Sequence, residues 1–330
     1  MISAPNTAAV ETVPAPVAAP GEVVVDVRRA GVCGTDAELF TGEMPYVLDG
    51  LTTFPIRIGH EWMGTVSAVG DGVDRAWIGR RVTGDTMLGC GVCERCRAGN
   101  QHVCEFHGEI GVRDGRPGAL AEQLAVPASA LHALPDSVSD VAGALVEPGG
   151  NALRSFQAAR VGPGQRILIL GAGTIGVLVA LFARAAGVEV HLAGRSERSL
   201  SFARGLGFEN AWSEAGLPDL PWHAVVDASN APQLPARALD LVEPAGRVVY
   251  VGLAASPSTI DTRALVFKDV TAVGVLSASP ALAATVAAYA DGSVDPEPLV
   301  GAVVGLDDLP GVLGGNRPEG GPGPKIHVEI

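Results

Sequence analysis

The chain has 330 residues, 47% of them hydrophobic, with 43 glycines and 24 prolines, enough apolar material for two packed domains joined by many turns. A formal charge of −13 argues against a nucleic-acid backbone as partner. Five cysteines in a chain of this length do not make a disulfide framework. The clustering of four of them points to metal in a reducing compartment, and the protein is expected in the cytoplasm.

Residues 1–20 are rich in Ala and Pro and lack the basic start of a secretory signal. They are expected to be extended and partly disordered. A strand over 22–27 leads into Gly31-Val-Cys33-Gly-Thr35-Asp36. The next landmark is Gly59-His60-Glu61-Trp62, followed by a strand over 63–70. Cys33, His60 and Glu61 are zinc-compatible residue types, although each alone is more often a packed core residue. Trp62 reads equally as pocket wall or core.

The cysteine cluster is more specific. Cys90, Cys93, Cys96 and Cys104 place four thiols within 15 residues on a Gly-containing loop, a spacing that suits a closed tetrahedral structural zinc site at 90–104. An iron–sulfur cluster or a redox disulfide is the competing reading. His102, His107 and His132 are read as loop or surface residues. A strand over 118–126 and a helix over 138–160 follow, the helix crossing between the two halves and carrying Val146-Glu147-Pro148.

The stretch 165–198 organises the second half. An apolar strand over 166–170 runs into Gly171-Ala-Gly173-Thr174-Ile175-Gly176, a helix over 174–186 and a second strand over 188–193. A G-x-G-x-x-G at the strand-to-helix turn of a βαβ unit is a dinucleotide site. Gly171 permits the turn, Gly173 admits a pyrophosphate, Gly176 lets helix pack on strand, and the helix N-terminus attracts the phosphates. The second strand ends in Gly194-Arg195-Ser196-Glu197-Arg198 rather than in the carboxylate that bonds a ribose 2′-hydroxyl. Arg195, Arg198 and Ser196 can instead bind a 2′-phosphate, so NADP(H) is preferred over NAD(H), with Glu197 counting against it.

The α/β alternation continues with helices over 199–207 and 233–242 and strands over 224–228, 247–251 and 270–275, which implies a doubly wound parallel sheet. Asp227 and Asn230 lie at a strand end and serve either cofactor contact or capping. Residues 270–290 carry no charge, but Ser277 to Pro280 interrupt them, so a strand and an Ala-rich helix are expected rather than a membrane span. A Gly/Pro-rich loop over 311–324 and a closing strand over 325–330 end the chain.

Taken together, GVCGTD at 31–36, GHE at 59–61, the four-cysteine lobe, VEP at 146–148 and GAGTIG at 171–176 resemble the zinc-containing medium-chain dehydrogenase/reductase family of alcohol, polyol and threonine dehydrogenases. The resemblance covers nearly the whole chain. It implies an α/β protein with a GroES-like β-barrel catalytic domain (1–150 and 298–330) and an inserted Rossmann cofactor domain (151–297). It further implies a catalytic zinc on Cys33, His60 and Glu147, with Glu61 contacting the ion or its water, and Thr35 relaying the substrate proton. A Cys/His/Glu set with an open fourth position suits a Lewis acid that takes a substrate oxygen. Two zinc ions per chain, a small-molecule alcohol or ketone substrate and a homodimer or homotetramer follow from the same likeness. Two departures stand out: Glu38 occupies a position where polyol and threonine dehydrogenases often have His, and Pro148-Gly-Gly-Asn151 differs from the usual continuation. The GHEW and four-cysteine stretches also resemble 2-deoxy-scyllo-inosamine dehydrogenases, which places secondary alcohols of polyol, sugar or cyclitol type first. The rival readings are a zinc-independent quinone or enone reductase on the same fold and a non-catalytic nucleotide-binding sensor.

Overall fold

The computed structural model describes residues 1–330, arranged around two large sheets. One is six-stranded and parallel throughout, built in chain order from Arg166–Leu170, Glu189–Ala193, Ala211–Trp212, Trp222–Asp227, Val242–Tyr250 and Thr271–Gly274. Their spatial order is third, second, first, fourth, fifth, sixth. Winding therefore reverses after the first strand, and a crevice opens at the carboxyl ends of the first and fourth. Helices cover both faces, which is why the strands read as unbroken apolar runs. Ile167 and Ile169 pack with helix Thr174–Ala185, while Leu168 and Leu170 pack with Ala238 and Leu239 of helix Leu234–Leu241 on the other face. This is the Rossmann arrangement expected from the glycine motif.

The other sheet is organised by Glu22–Val32, an eleven-residue strand. It pairs with Gln123–Pro127 near its start, with Glu61–Val69 along its length and with Lys325–Glu329 at its end, all antiparallel. Arg81–Gly84 and Leu131–Ala133 extend one side, and Val300–Gly305 lies parallel to Lys325–Glu329 on the other. The end of the chain thus completes a sheet begun by its first half, as in the GroES-like barrel. Val23, Val25, Val66, Leu124 and Val126 form part of its core. Met63 of this sheet and Leu134, just past its last strand residue Ala133, belong instead to the apolar cluster of Leu145, Leu153 and Ile167, so the two halves share packing.

Several local expectations change. Residues 1–20 are not loose at their start: Ile2–Ala4 pairs with Thr7–Ala8, and Ile2, 1% exposed, exchanges two backbone hydrogen bonds of 2.8 Å with Ile56. The strand expected from 118 begins only at Gln123, because Gly118, Ala119 and Leu120 donate instead to the backbone of 57–59. The helix over 138–160 is two helices, Asp140–Ala144 and Val146–Ala159, meeting at Leu145. Helix Glu197–Gly205 starts two residues early because the Ser196 hydroxyl accepts from Ser199 N at 3.2 Å. Helix Leu309–Leu313 takes the beginning of the expected 311–324 loop. No helix is long and apolar enough to cross a membrane, and 270–290 holds strand Thr271–Gly274 and helix Leu282–Ala290.

Candidate active site

The site is assembled where the central barrel strand ends. Cys33 follows Val32 and caps helix Gly34–Thr41. Asp36 folds back within that first turn, and its Oδ2 accepts from Cys33 N at 2.8 Å. Its other oxygen lies 3.7 Å from His60 Nδ1, and neither atom has another partner. A carboxylate behind one ring nitrogen orients the imidazole and leaves Nε2 for a ligand. Gly59, at φ +103°, provides the turn that delivers His60, and a Cβ there would come within 2.6 Å of Leu120 N.

Glu61 lies opposite Gly31 in the ladder and fills the space that glycine leaves, since a Cβ on Gly31 would stand 2.1 Å from Glu61 Oε2. Lys325 Nζ donates to Glu61 Oε1 at 2.7 Å and to Val32 O at 3.1 Å. Glu61 Oε2 stays buried with no protein partner. The ligand atoms of Cys33, His60 and Glu61 all lie within 4.8 Å of one another. Thr35 Oγ1 is 4.0 Å from Cys33 Sγ.

Glu147 is placed differently. It begins helix Val146–Ala159, is 7% exposed, and its Oε1 accepts from Asn151 Nδ2 at 2.8 Å. It stands outside the mutual 4.8 Å set, yet its charge reaches His60. Burial, reinforced by Glu61, pushes its carboxyl up to about 7. Burial works against a charged His60, but Asp36 and Cys33 outweigh it and hold the ring well above the usual imidazole range. Cys33, Asp36, Glu61 and Glu147 thus gather around His60 and Lys325 in a buried space. The donor set of thiol, imidazole and carboxylate, with an orphaned carboxylate oxygen, fits a divalent cation such as zinc. The unusual Pro148-Gly-Gly-Asn151 also finds its reason here. A Cβ on Gly149 would meet Tyr289 Oη at 2.0 Å and one on Gly150 would meet Ala278 at 2.7 Å, while Asn151 holds Glu147.

Cys90, Cys93, Cys96 and Cys104 converge with all four sulfurs within 4.8 Å and no disulfide among them. Cys90 and Cys96 are 4.0 Å apart, and Cys93 and Cys104 3.8 Å. Four sulfurs at tetrahedral zinc distances would be separated by about 3.8 Å, so the loop fits a closed zinc site. Backbone N–H groups of Val92 and Cys93 pull the Cys90 thiol down to about 6. His102, His107 and His132 join neither cluster: His107, for one, is held by Cys104 O, Glu109 and Arg113.

A cleft of about 1210 Å³ joins the two halves. Cys33, Thr35 and Glu38 line one wall, and Gly171, Gly173, Ile175, Gly194, Arg195, Ser196 and Arg198 line the other. Gly171, at φ +110°, turns the chain out of the first parallel strand. A Cβ on Gly176 would lie 1.8 Å from Gly171 O, whereas one on Gly173 would meet nothing within 4 Å. Gly176 serves packing, and Gly173 keeps the cleft floor bare; Thr174 opens the helix behind it. Ser196 caps its helix, and Glu197 is turned away from the cleft onto Arg204 (2.6 Å) and Ser201 (3.0 Å). Asp227 Oδ1 accepts from Ser229 N and Oγ, a capping role, and Asn230 lines the cleft. Trp62 is fully buried against Gly84 and belongs to the core.

Two contributors were not singled out in the sequence. Asp36 sits inside the GVCGTD motif with no local sign of its use. Lys325 opens a strand whose alternation of Lys325, His327 and Glu329 marks a polar face, but nothing in 311–330 indicates that it returns to Glu61.

Comparison with known proteins agrees with this geometry. Residues 19–136 match the alcohol dehydrogenase GroES-like domain and residues 174–291 the zinc-binding dehydrogenase domain. An L-threonine 3-dehydrogenase of Idiomarina loihiensis is 31% identical over 266 residues, covering 77% of this chain and 76% of that protein. The chain belongs to the zinc-containing medium-chain dehydrogenase family. As a dehydrogenase it has close structural neighbours: a protein described as a short chain alcohol dehydrogenase (rspB) of Escherichia coli CFT073, complexed with NADH, superposes with TM-score 0.91 at 25% identity, covering 100% of this chain and 98% of that one. A zinc-binding dehydrogenase of Sinorhizobium meliloti 1021 bound to NADP gives 0.90 at 26% identity, with 100% and 98% covered. The enzyme is therefore of the zinc-type alcohol dehydrogenase class, and its neighbours take either nicotinamide dinucleotide.

Proposed function

We propose that this dehydrogenase oxidises a secondary alcohol of polyol, sugar or cyclitol type and passes the hydride to NADP⁺, with two zinc ions per chain. The observation that carries the reading is the single cleft joining Cys33 and Thr35 on one wall to Gly173 and Arg195 on the other. Cys33, His60 and Glu147 hold the catalytic ion with Glu61 beside it, and Cys90, Cys93, Cys96 and Cys104 hold the structural one. When bound, zinc polarises a hydroxyl oxygen and the nicotinamide ring accepts hydride. The chain's own residues do the rest. Asp36 orients His60, Lys325 anchors Glu61, and Thr35 receives the substrate's proton. Glu38 lines the same cleft, its carboxyl held above the usual range by burial and by Glu43.

The catalytic domain comprises 1–150 and 298–330 and the cofactor domain 151–297, a division supported by the membership of the two sheets. Preference for NADP(H) is supported by Arg195 and Arg198 at the cleft and by Glu197 facing away from it. A polyol or amine-bearing substrate is favoured over an anionic one, because Glu38 and Glu43 line the alcohol end. A homodimer or homotetramer is supported by the exposed edge strand Thr271–Gly274 and by Val266 and Phe267 nearby, 77% and 86% exposed.

Zinc per chain, measured by mass spectrometry on purified protein, tests the core of the reading, followed by NADP-linked assays on polyols, sugars and cyclitols. About two ions are expected, with Cys33→Ala losing turnover while still binding NADPH. About one ion, lost only on mutating the four-cysteine loop, would leave the zinc-independent reductase in its place. Turnover of simple aliphatic alcohols alone would overturn the substrate class.

A further inference from the structure

His60, Glu61 and Glu147 each have a partner behind them, and the partners differ in charge. Asp36 stands 3.7 Å behind His60, and Lys325 Nζ donates to Glu61 at 2.7 Å. Glu147 Oε1 accepts from Asn151 Nδ2 at 2.8 Å, and the carboxylate has no other donor within the chain. The ammonium of Lys325 already matches the charge of Glu61. A neutral amide beside Glu147 leaves that carboxylate's full charge for an ion. Glu61 is the nearer of the two to Cys33 and His60, yet electrostatically it is the poorer ligand.

The helix explains how the amide finds its carboxylate. Asn151 follows Glu147 by one turn on the same face of Val146–Ala159, and its Nδ2 also lies 3.4 Å from the Glu147 carbonyl oxygen. Both ends of that turn are pinned. Tyr289 Oη donates to Leu145 O at 3.2 Å where the two helices meet, and the buried Ser155 Oγ donates to Asn151 O at 2.8 Å. Gly149 and Gly150 admit Tyr289 and Ala278 against the same turn. Glu147 therefore sits on a fixed base, with Oε1 held and Oε2 free of hydrogen bonds within the chain.

We propose that Asn151 is a positioning residue for the catalytic ion: it holds Oε1 with an uncharged donor, presents Oε2, and so makes Glu147 rather than Glu61 the carboxylate ligand. The proposal rests on the reading that Cys33, His60 and Glu147 hold a zinc ion, and chelator competition for zinc on the full chain, with the four-cysteine loop intact, tests the two separately. Asn151→Leu keeps the volume and removes the donor, and should weaken zinc at this site about 10–100-fold. Asn151→Gln, which keeps the amide, should recover part of the loss. Glu147→Ala should weaken zinc at least as much, and adding Asn151→Leu to it should cause no further loss. Cobalt in place of zinc gives a signature that a purely structural role would not move. Absorption bands of the ion at Cys33 should shift in Asn151→Leu and return towards the parent in Asn151→Gln, with the bands of the four-cysteine site unchanged. If melting shows Asn151→Leu to be poorly folded, Asn151→Ser makes the same test with a hydroxyl too short to reach Oε1. Zinc affinity in the donor-less variant within about twofold of the parent, with Glu147→Ala impaired, overturns the proposal and leaves the ligand assignment standing. Additive losses in the double variant overturn it as well. Glu147→Ala within about twofold of the parent refutes the assignment of Glu147, and the proposal with it.

Discussion

Lys325 and Glu61, 264 residues apart in the chain, form a buried ion pair with Nζ 2.7 Å from Oε1 and side chains 4% and 1% exposed. The last strand of the molecule thereby fixes the residue beside the candidate metal ligands. Removing one member of a buried pair leaves an uncompensated charge, so Lys325→Met should cost about 3–5 kcal/mol of unfolding free energy. The double variant Lys325→Met/Glu61→Gln should recover much of it. Urea denaturation of metal-free protein measures both, and equal stability of the single and double variants would show that the pair is not held as ions.

His327 should make the fold acid-sensitive. Its ring faces Gly31, is wholly buried with neither nitrogen bonded, and is lowered to about 3 by burial and by the charges of Lys325 and Arg29. The unfolded ring takes up its proton near 6.5, before the folded one does. Acid therefore favours the unfolded chain: the contribution is full above about pH 6.5 and is lost as pH falls towards 3, at about 1.4 kcal/mol per unit. His327→Met should flatten the stability profile between pH 6.5 and 4.5 by about 2–3 kcal/mol relative to the parent. Parallel profiles for the two proteins would show that His327 is not the titrating group.

The four-cysteine loop should be felt in the other domain. Asp85, 5% exposed, accepts from Gln101 Nε2 at 3.0 Å within that loop and from Ser279 Oγ at 2.7 Å in the turn Ser279–Ala281. Stripping metal from the loop, or Cys96→Ser, should raise amide exchange at 277–281 as well as at 90–104. Hydrogen-exchange mass spectrometry reads both segments. Unchanged protection at 277–281 would mean that Asp85 holds the turn independently of the loop.

Two glycines of one motif should fail in different ways. Gly176→Ala forces a methyl against Gly171 O and should destabilise the fold by several kcal/mol. Gly173→Ala meets no neighbour and sits at φ −92°, so melting should be nearly unchanged while dinucleotide affinity falls. Thermal melts beside cofactor titrations separate the two, and a Gly173→Ala variant with intact cofactor affinity would argue against phosphate placement there.

Some features are legible in the amino-acid sequence because their physics is local. The glycine motif needs only the strand before it and the helix after it, and four thiols within 15 residues can reach one centre wherever the loop sits. The alternation of strands and helices over 166–275 likewise determined a parallel doubly wound sheet without reference to the other half. The end of helix Glu197–Gly205 was less legible. Ser196 lines the cleft and its hydroxyl also accepts from the orphan N–H of Ser199, and the ion pair of Glu197 with Arg204 depends on which side of the helix each occupies.

What only the tertiary structure decided lies in long-range register. That Gly31 stands between Glu61 and His327 depends on three strands drawn from 22–32, 61–69 and 325–329, and a slip of one residue would turn each side chain to the other face. The Asp36–His60 contact and the Lys325–Glu61 pair both follow from that register. Residue types and spacings along a chain specify which groups are able to bind a metal or a phosphate. Which carboxylate is orphaned, which is paired and which faces the cleft is set by the packing of segments hundreds of residues apart.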